Sequence, residues 1–544
     1  MITALRERRV GTDARADAVT AATRWWLDAG IVAPIGAAIA YLVVVAVRLP
    51  GLLTSFYWYS DFPETLRLGV AVFHGGYGQG LPVPSQSGLG PLWLIGLLNQ
   101  LTGSDAAGMA VGGVLVAAAA GFIVWTAHRV IGPRGALAAG VLCVAAPPVV
   151  GWEAVNPVAH ETTLLLTAVC VWQLVALARA PRGRMLGSSI AVGVLAGICL
   201  ISDPMVIAAA VAPWVICAVI VVLRQPERRI AVAVTTGSTA ISSVLIAVLA
   251  SASGVVERSN AGLSPSLNGI TSGLRTTALT LGQMITGVWY GASFPEVIAM
   301  AAFALFAALL YMVTREVTRR SPGVVAGRDL YVWFWMLSCG GLIAGLCLTG
   351  LGIQYDPINQ TGHYVDGLWF AIAALLPLGL LQRSVLRRTI AVSVTALVVT
   401  AAIGVARTPS YPFEEPDYVD GPQLTATLAQ LGLQHGYGGY WESYAIGWHT
   451  DQRITALPLQ QCRSSAGVKT LCHYEFSAPA WFTAKPGPVF VVALTGSCYN
   501  NDLCINVANL AAFPKPEAVR TVGLLQVYVY ADDIFAGLPI ATRP

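Results

Sequence analysis

The sequence predicts a polytopic α-helical membrane protein with about eleven spanning helices and a small extracytoplasmic C-terminal domain of α+β or β type. Three observations predict it. Of 544 residues, 56% are hydrophobic and 11% charged, against roughly 25% charged in soluble domains. Apolar runs of spanning length recur along the first three quarters of the chain. Arginines fall on alternate turns between those runs.

The elements follow in order. Residues 1–29 form a basic cytoplasmic leader holding Arg6, Arg8, Arg9, Arg15 and Arg24. The apolar run after it reads as a retained first helix and not as a cleaved signal. Apolar spans are expected at roughly 30–50, 105–127, 134–151, 157–178, 187–202, 205–223, 230–250, 296–313, 330–351, 364–382 and 389–406. With the N-terminus in the cytoplasm, Arg129/Arg134, Arg182/Arg184, Arg228/Arg229, Arg319/Arg320 and Arg387/Arg388 all fall on the cytoplasmic side. A wrong count would break that alternation. An odd number of spans places 408–544 outside. The membrane domain is then 30–407, in a multi-pass protein of the plasma membrane.

Function is sought in the outside loops, because the cytoplasmic turns are short and basic. The first outside loop, 51–104, is far longer than a connector requires. Phe62, Leu66, Val70 and Phe73 form one helical stripe, which predicts an amphipathic surface helix. Residues 89–101 predict a second. Asp61 and Glu64 stand at the start of the first, with Pro63 between them. That pattern reads as a helix cap. A carboxylate at a membrane interface is also placed to act as a general base, and the two roles are compatible. Further polar groups gather at outer helix ends: His160, Glu161, Asp203 and Asp356. Ionisable groups near membrane depth are costly and tend to be paired or functional. His160-Glu161 is not a zinc motif, since position 164 is Leu. No phosphate-loop, dinucleotide-fold or nucleophile-elbow signature is present, and no nucleic-acid partner is expected.

The tail is read as a short helix near 423–433 and strands near 489–494 and 524–530. Six cysteines lie inside apolar spans, and four lie in the tail. Cys462 with Cys472, and Cys498 with Cys504, are spaced for two local disulfides in an oxidising compartment. Free thiols and pairing across the two sets stay open. Tyr440, Trp441 and Trp448 belong to an aromatic-dense stretch. It reads either as a sugar-stacking surface for an acceptor or as packing and membrane anchoring.

Taken together, this topology, the Ser60-Asp61-Phe62-Pro63-Glu64 segment and the His363-Tyr364 start of a late helix resemble the GT-C superfamily of membrane glycosyltransferases. The nearest resemblance is to actinobacterial members related to protein mannosyltransferases and arabinofuranosyltransferases. It implies inverting transfer of a hexosyl or pentosyl group from a polyprenyl-phosphate donor to a glycan, lipid or protein acceptor of the cell envelope. It implies Asp61 or Glu64 as the base. His363, Tyr364, Arg275 and Arg258 are the candidates for the donor phosphate. A divalent metal is left open. Two other classes compete. A transporter or lipid flippase with a glycan-binding domain would call for inverted repeats and charges at mid-membrane. A non-catalytic scaffold would leave the long first loop unexplained.

Overall fold

A computed structural model describes residues 32, 34–44, 61–75, 81–84, 89–151, 160–179, 185–258, 265–287, 296–318, 327–349, 360–381, 384–407, 421–450, 453–463, 469–496 and 502–541. The membrane part begins with α1 (Pro34–Val44). The first loop holds α2 (Asp61–His74), strand β1 (Leu81–Pro84) and α3 (Leu89–Thr102). Then follow α4 (Val111–Ile131), α5 (Pro133–Val144), α6 (Glu161–Arg179) and α7 (Leu186–Ser202). A π-helical turn, Ile207–Val211, leads into α8 (Ala212–Arg224), and α9 (Arg229–Ala252) follows. After β2 (Val255–Arg258) come α10 (Leu267–Thr286), α11 (Glu296–Thr318), α12 (Gly327–Thr349), α13 (Gly367–Leu375) and α14 (Ser384–Arg407).

Among the described residues, five helical stretches are long and apolar enough to cross a bilayer: Asp105–Ile131, Glu161–Arg179, Ile207–Arg224, Pro226–Ala252 and Gly327–Thr349. Shorter apolar helices, such as Pro133–Val144 and Ile390–Ala406, lie in the other expected segments. A helix of 12 residues like α5 rises about 18 Å, short of the ~30 Å hydrocarbon layer. By length and composition alone, five of the described helical stretches qualify as spans.

Small residues bring the helices together. In α7, a Cβ on Gly193 would lie 2.6 Å from the Ser238 Cβ, and one on Gly197 would lie 2.7 Å from the Thr239 carbonyl oxygen. Lipid tails give apolar side chains no reason to prefer each other, so close backbone approach of this kind drives association. The opposite face of α9 exposes Ile241, Val244, Leu245 and Val248, as a lipid-facing surface would. Polar groups at depth are cross-tied. Gln173 of α6 donates to the Thr235 hydroxyl at 2.7 Å and accepts from the Trp214 indole at 2.8 Å. Trp369 donates to the Leu142 carbonyl at 3.0 Å, tying α13 to α5.

In the first loop both expected helices are present, and they pack on each other through Gly69, whose added Cβ would lie 2.9 Å from the Leu92 carbonyl oxygen. Strand β1 pairs in parallel with β2, Leu81 opposite Val255.

The C-terminal domain is a six-stranded mixed sheet in the order β5-β4-β3-β6-β8-β7. Its elements are α15 (Gly421–Gln430), β3 (His435–Gly438), α16 (Tyr440–His449), β4 (Thr455–Arg463), β5 (Lys469–His473), β6 (Val489–Leu494), β7 (Ala518–Val522) and β8 (Leu525–Tyr530). The centre is parallel, with β3 paired to both β4 and β6, and the outer pairs are antiparallel. Every residue of β6 is buried, because apolar clusters cover both faces of the sheet. The strands expected near 489–494 and 524–530 are β6 and β8. Cys462 and Cys472 form a disulfide between β4 and β5. Cys504 is also disulfide-bonded, and Cys498 lies outside the described residues.

The α7–α9 contact yields a test. In Gly197→Val the new side chain has no room, so the helices must separate at a cost of about 1–3 kcal/mol. The expected result is a lower thermal unfolding midpoint in detergent, read by size-exclusion after heating. An unchanged midpoint would contradict the packing described.

Candidate functional site

The polar residues that meet are those at the adjoining ends of α6, α7 and α13. His160 precedes α6, and Thr163, Leu164 and Thr167 recur at helical spacing on the same face. Together they form one wall of a cavity of about 30 Å³, room for a water or two. The 3₁₀ turn Gln360–Val365 brings His363 and Tyr364 to the opposite wall, followed by Asp366 and Phe370. Trp335, Ser338 and Leu342 of α12 line it at a spacing of 3 and 4, and Ala209 of the π-turn completes it. The π-turn lies against α12 where Gly341 admits the Ala208 carbonyl. π-turns are rare and frequent at functional sites. No local sequence signal marks this one.

Three rings cluster beside the cavity. The centroids of His363 and Tyr364 are 4.1 Å apart, those of His160 and Tyr364 4.9 Å, and those of the two histidines 5.7 Å with planes inclined by only 14°. Below them lies Asp203, the residue that ends α7. Its carboxylate accepts from the His160 Nδ1 at 2.6 Å, from the Thr163 hydroxyl, and from the Met205 backbone N–H at 2.9 Å. Asp203 is 1% exposed and His160 11%. Burial alone pushes the Asp203 carboxyl up, but the His160 charge and the three hydrogen bonds outweigh it and hold the group below the ordinary carboxylate range.

Of the residues singled out from sequence, His160, Asp203, His363 and Tyr364 come together here. Glu161 is buried beside them at the first turn of α6. Arg275 is exposed on α10, which packs against the His363 turn. Asp61 is the first residue of α2, and Arg258 the last of β2; their side chains, like those of Trp441 and Trp448 on α16, lie outside the described residues, as does all of Asp356. The sequence gave no cue to Thr163, Trp335 or Ser338, which are ordinary residues of apolar helices until the fold turns them inward.

Glu64 lies elsewhere, where the C-terminal domain meets α2. Its buried Oε2 accepts from the Tyr440 hydroxyl at 2.6 Å. Arg67, one turn on, sits 4.2 Å above the Trp481 ring and 5.9 Å from the Tyr444 ring. Tyr440 is 3% exposed and packs on Tyr474 and Tyr444. The expectation that Tyr440 stacks on an acceptor sugar is therefore corrected: the ring is spent on docking the domain, because its hydroxyl is the partner of a buried carboxylate. Glu442, two residues on, is buried with its Oε2 lacking a hydrogen-bond partner among the described residues. Burial pushes its carboxyl up to about 7, with a backbone hydrogen bond opposing. Among the described residues no group of three or more His, Cys, Asp or Glu is arranged to hold a metal ion.

A helical membrane bundle, a first loop with two packed helices, and a C-terminal mixed sheet resting on that loop form an architecture shared with a solved membrane-protein structure. The chain is similar to ArnT from Cupriavidus metallidurans in its crystal structure bound to undecaprenyl phosphate, at 13% identity and a TM-score of 0.52, over 90% of this chain and 97% of that one. It also matches the Archaeoglobus fulgidus oligosaccharyltransferase, in a structure tethered to an acceptor peptide, at 10% identity and a TM-score of 0.42, over 86% of this chain and 69% of that one. The same archaeal enzyme with an inhibitory peptide and a dolichol-phosphate gives 11% identity and a TM-score of 0.41, over the same shares of 86% and 69%. No protein-family model and no curated protein sequence matches the chain.

Two outcomes test the docking surface. Tyr440→Phe leaves the buried Glu64 carboxylate one donor short and is expected to destabilise by about 1–3 kcal/mol, read as a lower unfolding midpoint of the full chain. Glu64→Gln in the same background is expected to recover part of that loss, and an additive loss would contradict the pairing. Glu442 gives a pH signature. Its folded carboxyl titrates near 7, above the ordinary 4.5, so the folded state binds the extra proton. The stability it contributes is full below about 4.5 and is lost as pH rises through about 7. Glu442→Gln, which stays neutral, should flatten the fall in unfolding midpoint across that window. An identical pH profile would assign the fall to another group.

Proposed function

We propose that this chain is an inverting glycosyltransferase of the cell membrane. It moves a sugar from a polyprenyl-phosphate donor to a glycan, lipid or protein acceptor on the extracytoplasmic face. All eleven expected segments cross the bilayer in this reading, with the N-terminus in the cytoplasm and the C-terminal domain outside, as the arginine pattern supports. The observation that carries the reading is the fold. Nearly the whole chain follows a structure bound to undecaprenyl phosphate, and His160, His363 and Tyr364 gather beside a small cavity at one end of the bundle, polar groups of the kind that meet an anionic headgroup. The narrower likeness to actinobacterial members belongs to the same proposal.

The chemistry follows from the groups. Nucleotide sugars are not supplied outside the cytoplasm, so a lipid-linked donor is the available form. Asp61, at the head of α2, takes the proton of the acceptor hydroxyl. The oxygen attacks the anomeric carbon, and the bond to the phosphate oxygen breaks with its electron pair left on the phosphate. Nearby negative charge stabilises the oxocarbenium character of the transition state. His363 and Tyr364 bind the departing phosphate, with Arg275 and Arg258 as further cations and Asp356 and Glu161 as polar neighbours. Glu64, bonded to Tyr440, anchors the C-terminal domain and leaves Asp61 as the base. Trp441 and Trp448 remain the acceptor contacts of this reading.

The test is sugar transfer by the purified chain in lipid nanodiscs, from a panel of polyprenyl-phosphate sugars to envelope glycan acceptors. Asp61→Asn should lower the rate ~10²–10⁴-fold with an unchanged unfolding midpoint. Undiminished transfer would leave Asp61 a helix cap, and no transfer by wild type from any donor would sink the reading.

A further inference from the structure

We propose that the end of the bundle opposite His160 binds the headgroup of an anionic bilayer phospholipid, with Arg129 and Arg179 on its phosphodiester and Trp125 and Trp172 beneath it. Such a site needs only a bilayer and stands whether or not the transferase reading does.

Helix α6 runs for 19 residues, from Glu161 to Arg179. That is about 28 Å at the helical rise, close to the thickness of the hydrocarbon layer. His160 precedes its first residue, so Arg179 lies at the far end. There Arg179 reaches across to α4, and its Nη1 donates to the Arg129 carbonyl. Within a continuous helix that carbonyl would accept from residue 133, but residue 133 is proline and has no N–H to give. The arginine takes the missing donor's place. Gly327, at the start of α12, makes the room: a Cβ there would lie 2.8 Å from the Arg179 Nε. The guanidinium is thus held between three helix ends. Arg129 is close enough for its charge to act on that of Arg179, and both side chains are exposed.

A helix C-terminus favours a cation, and that accounts for either arginine by itself. It does not account for two of them side by side, because like charges repel. The chain around them does little to offset the repulsion. Arg328 and Asp329 of α12 sum to zero, and Arg134, just past the end of α4, adds a further positive charge. Segments 180–184 and 319–326, outside the described residues, contain Arg182, Arg184, Arg319 and Arg320 and no acid. An anion from outside the chain completes the balance, and guanidinium groups match phosphate oxygens in geometry as well as charge.

A second, independent observation says which anion. Trp125 precedes Arg129 by four residues and Trp172 precedes Arg179 by seven, so each indole shares a helix face with its arginine. The two indole centroids are 5.5 Å apart, and Phe122 lies 5.7 Å from Trp172 and 6.1 Å from Trp125. All three rings are half-buried. They stand roughly 6–10 Å further into the bilayer than the arginines, and Trp is a side chain that settles at the bilayer interface. Cations above an aromatic floor match a phospholipid, which carries its phosphate above its acyl chains. Free phosphate would use the arginines and leave the floor idle. A zwitterionic headgroup would bring its own cation to two that already repel, so an anionic lipid is the one selected.

The experiment uses the purified, delipidated full chain in detergent. Phosphatidylglycerol and phosphatidylcholine of identical acyl chains are titrated together, and retained lipid is counted by native mass spectrometry. Wild type is expected to retain phosphatidylglycerol in preference. Arg129→Gln/Arg179→Gln should weaken that retention ~10–30-fold and leave phosphatidylcholine unchanged. Arg129→Lys/Arg179→Lys should recover part of it, and Trp125→Leu/Trp172→Leu should weaken both lipids. Arg224→Gln/Arg229→Gln, at the ends of α8 and α9, serves as the control and should keep the preference. An equal loss in that control would make the effect one of overall charge and overturn the site. No preference in wild type, or displacement of the lipid by inorganic phosphate at equal concentration, would overturn it as well. Photo-crosslinking of wild type with a diazirine-bearing phosphatidylglycerol needs no variant to fold. Adducts are expected on the last two turns of α4 and α6, and adducts spread evenly over the basic helix ends would sink the proposal.

Discussion

A bilayer offers no water to a buried hydrogen-bonding group, so each polar side chain at depth has to be answered by another one from the protein. That constraint organises this chain. Gln173 answers both Thr235 and Trp214, and Trp369 answers a carbonyl of α5. Each tie joins helices that are distant in sequence, and each would be worth little in water. Between the ties, glycine, serine and threonine on α7 and α9 let backbones approach closely. The bundle is therefore held by close contact and a few cross-links, while its apolar side chains are left to face lipid.

The same constraint shapes one end of the bundle, where α6, α7 and the His363 turn meet. Asp203 is as buried as the apolar residues around it, yet His160 and the donors that converge on it hold its carboxyl below the ordinary range. Low dielectric strengthens those bonds as much as it would penalise their absence. The two histidines and the tyrosine clustered above it thus sit over that carboxylate beside a small cavity. The end of α7, the start of α6 and a 3₁₀ turn some 160 residues later in the chain have to be in register for this to exist.

The C-terminal domain is not an appendage of the membrane part. It rests on the loop helix α2 through one buried hydrogen bond from α16 and through Arg67 over the rings of Trp481 and Tyr444. The head of α2 carries Asp61, so the position of that residue is mechanically joined to the C-terminal domain. Glu442, buried on α16 with its Oε2 lacking a hydrogen-bond partner among the described residues, makes the folding of that region sensitive to pH near neutrality.

The sequence by itself determined the solvent of the fold. Hydrophobic content, run lengths and the arginine alternation are additive properties, and each is visible one residue at a time. The loop helices α2 and α3, strands β6 and β8 and the Cys462–Cys472 disulfide were legible for the same reason, since each rests on local periodicity or spacing. The tertiary structure decided what each polar residue is for. Glu64 and Asp61 share one capping pattern, yet Glu64 is bound to Tyr440 from 376 residues away. Tyr440 and Trp441 are sequence neighbours in one aromatic run, yet the fold assigns Tyr440 to the interior. His160 and Asp203 lie 43 residues apart with no motif between them, and they become a dyad only when α6 and α7 pack side by side. The physical reason is that the energy of a buried charge or hydrogen bond depends on distance to its partner and on the dielectric around both, and neither quantity is a property of the chain until it has folded.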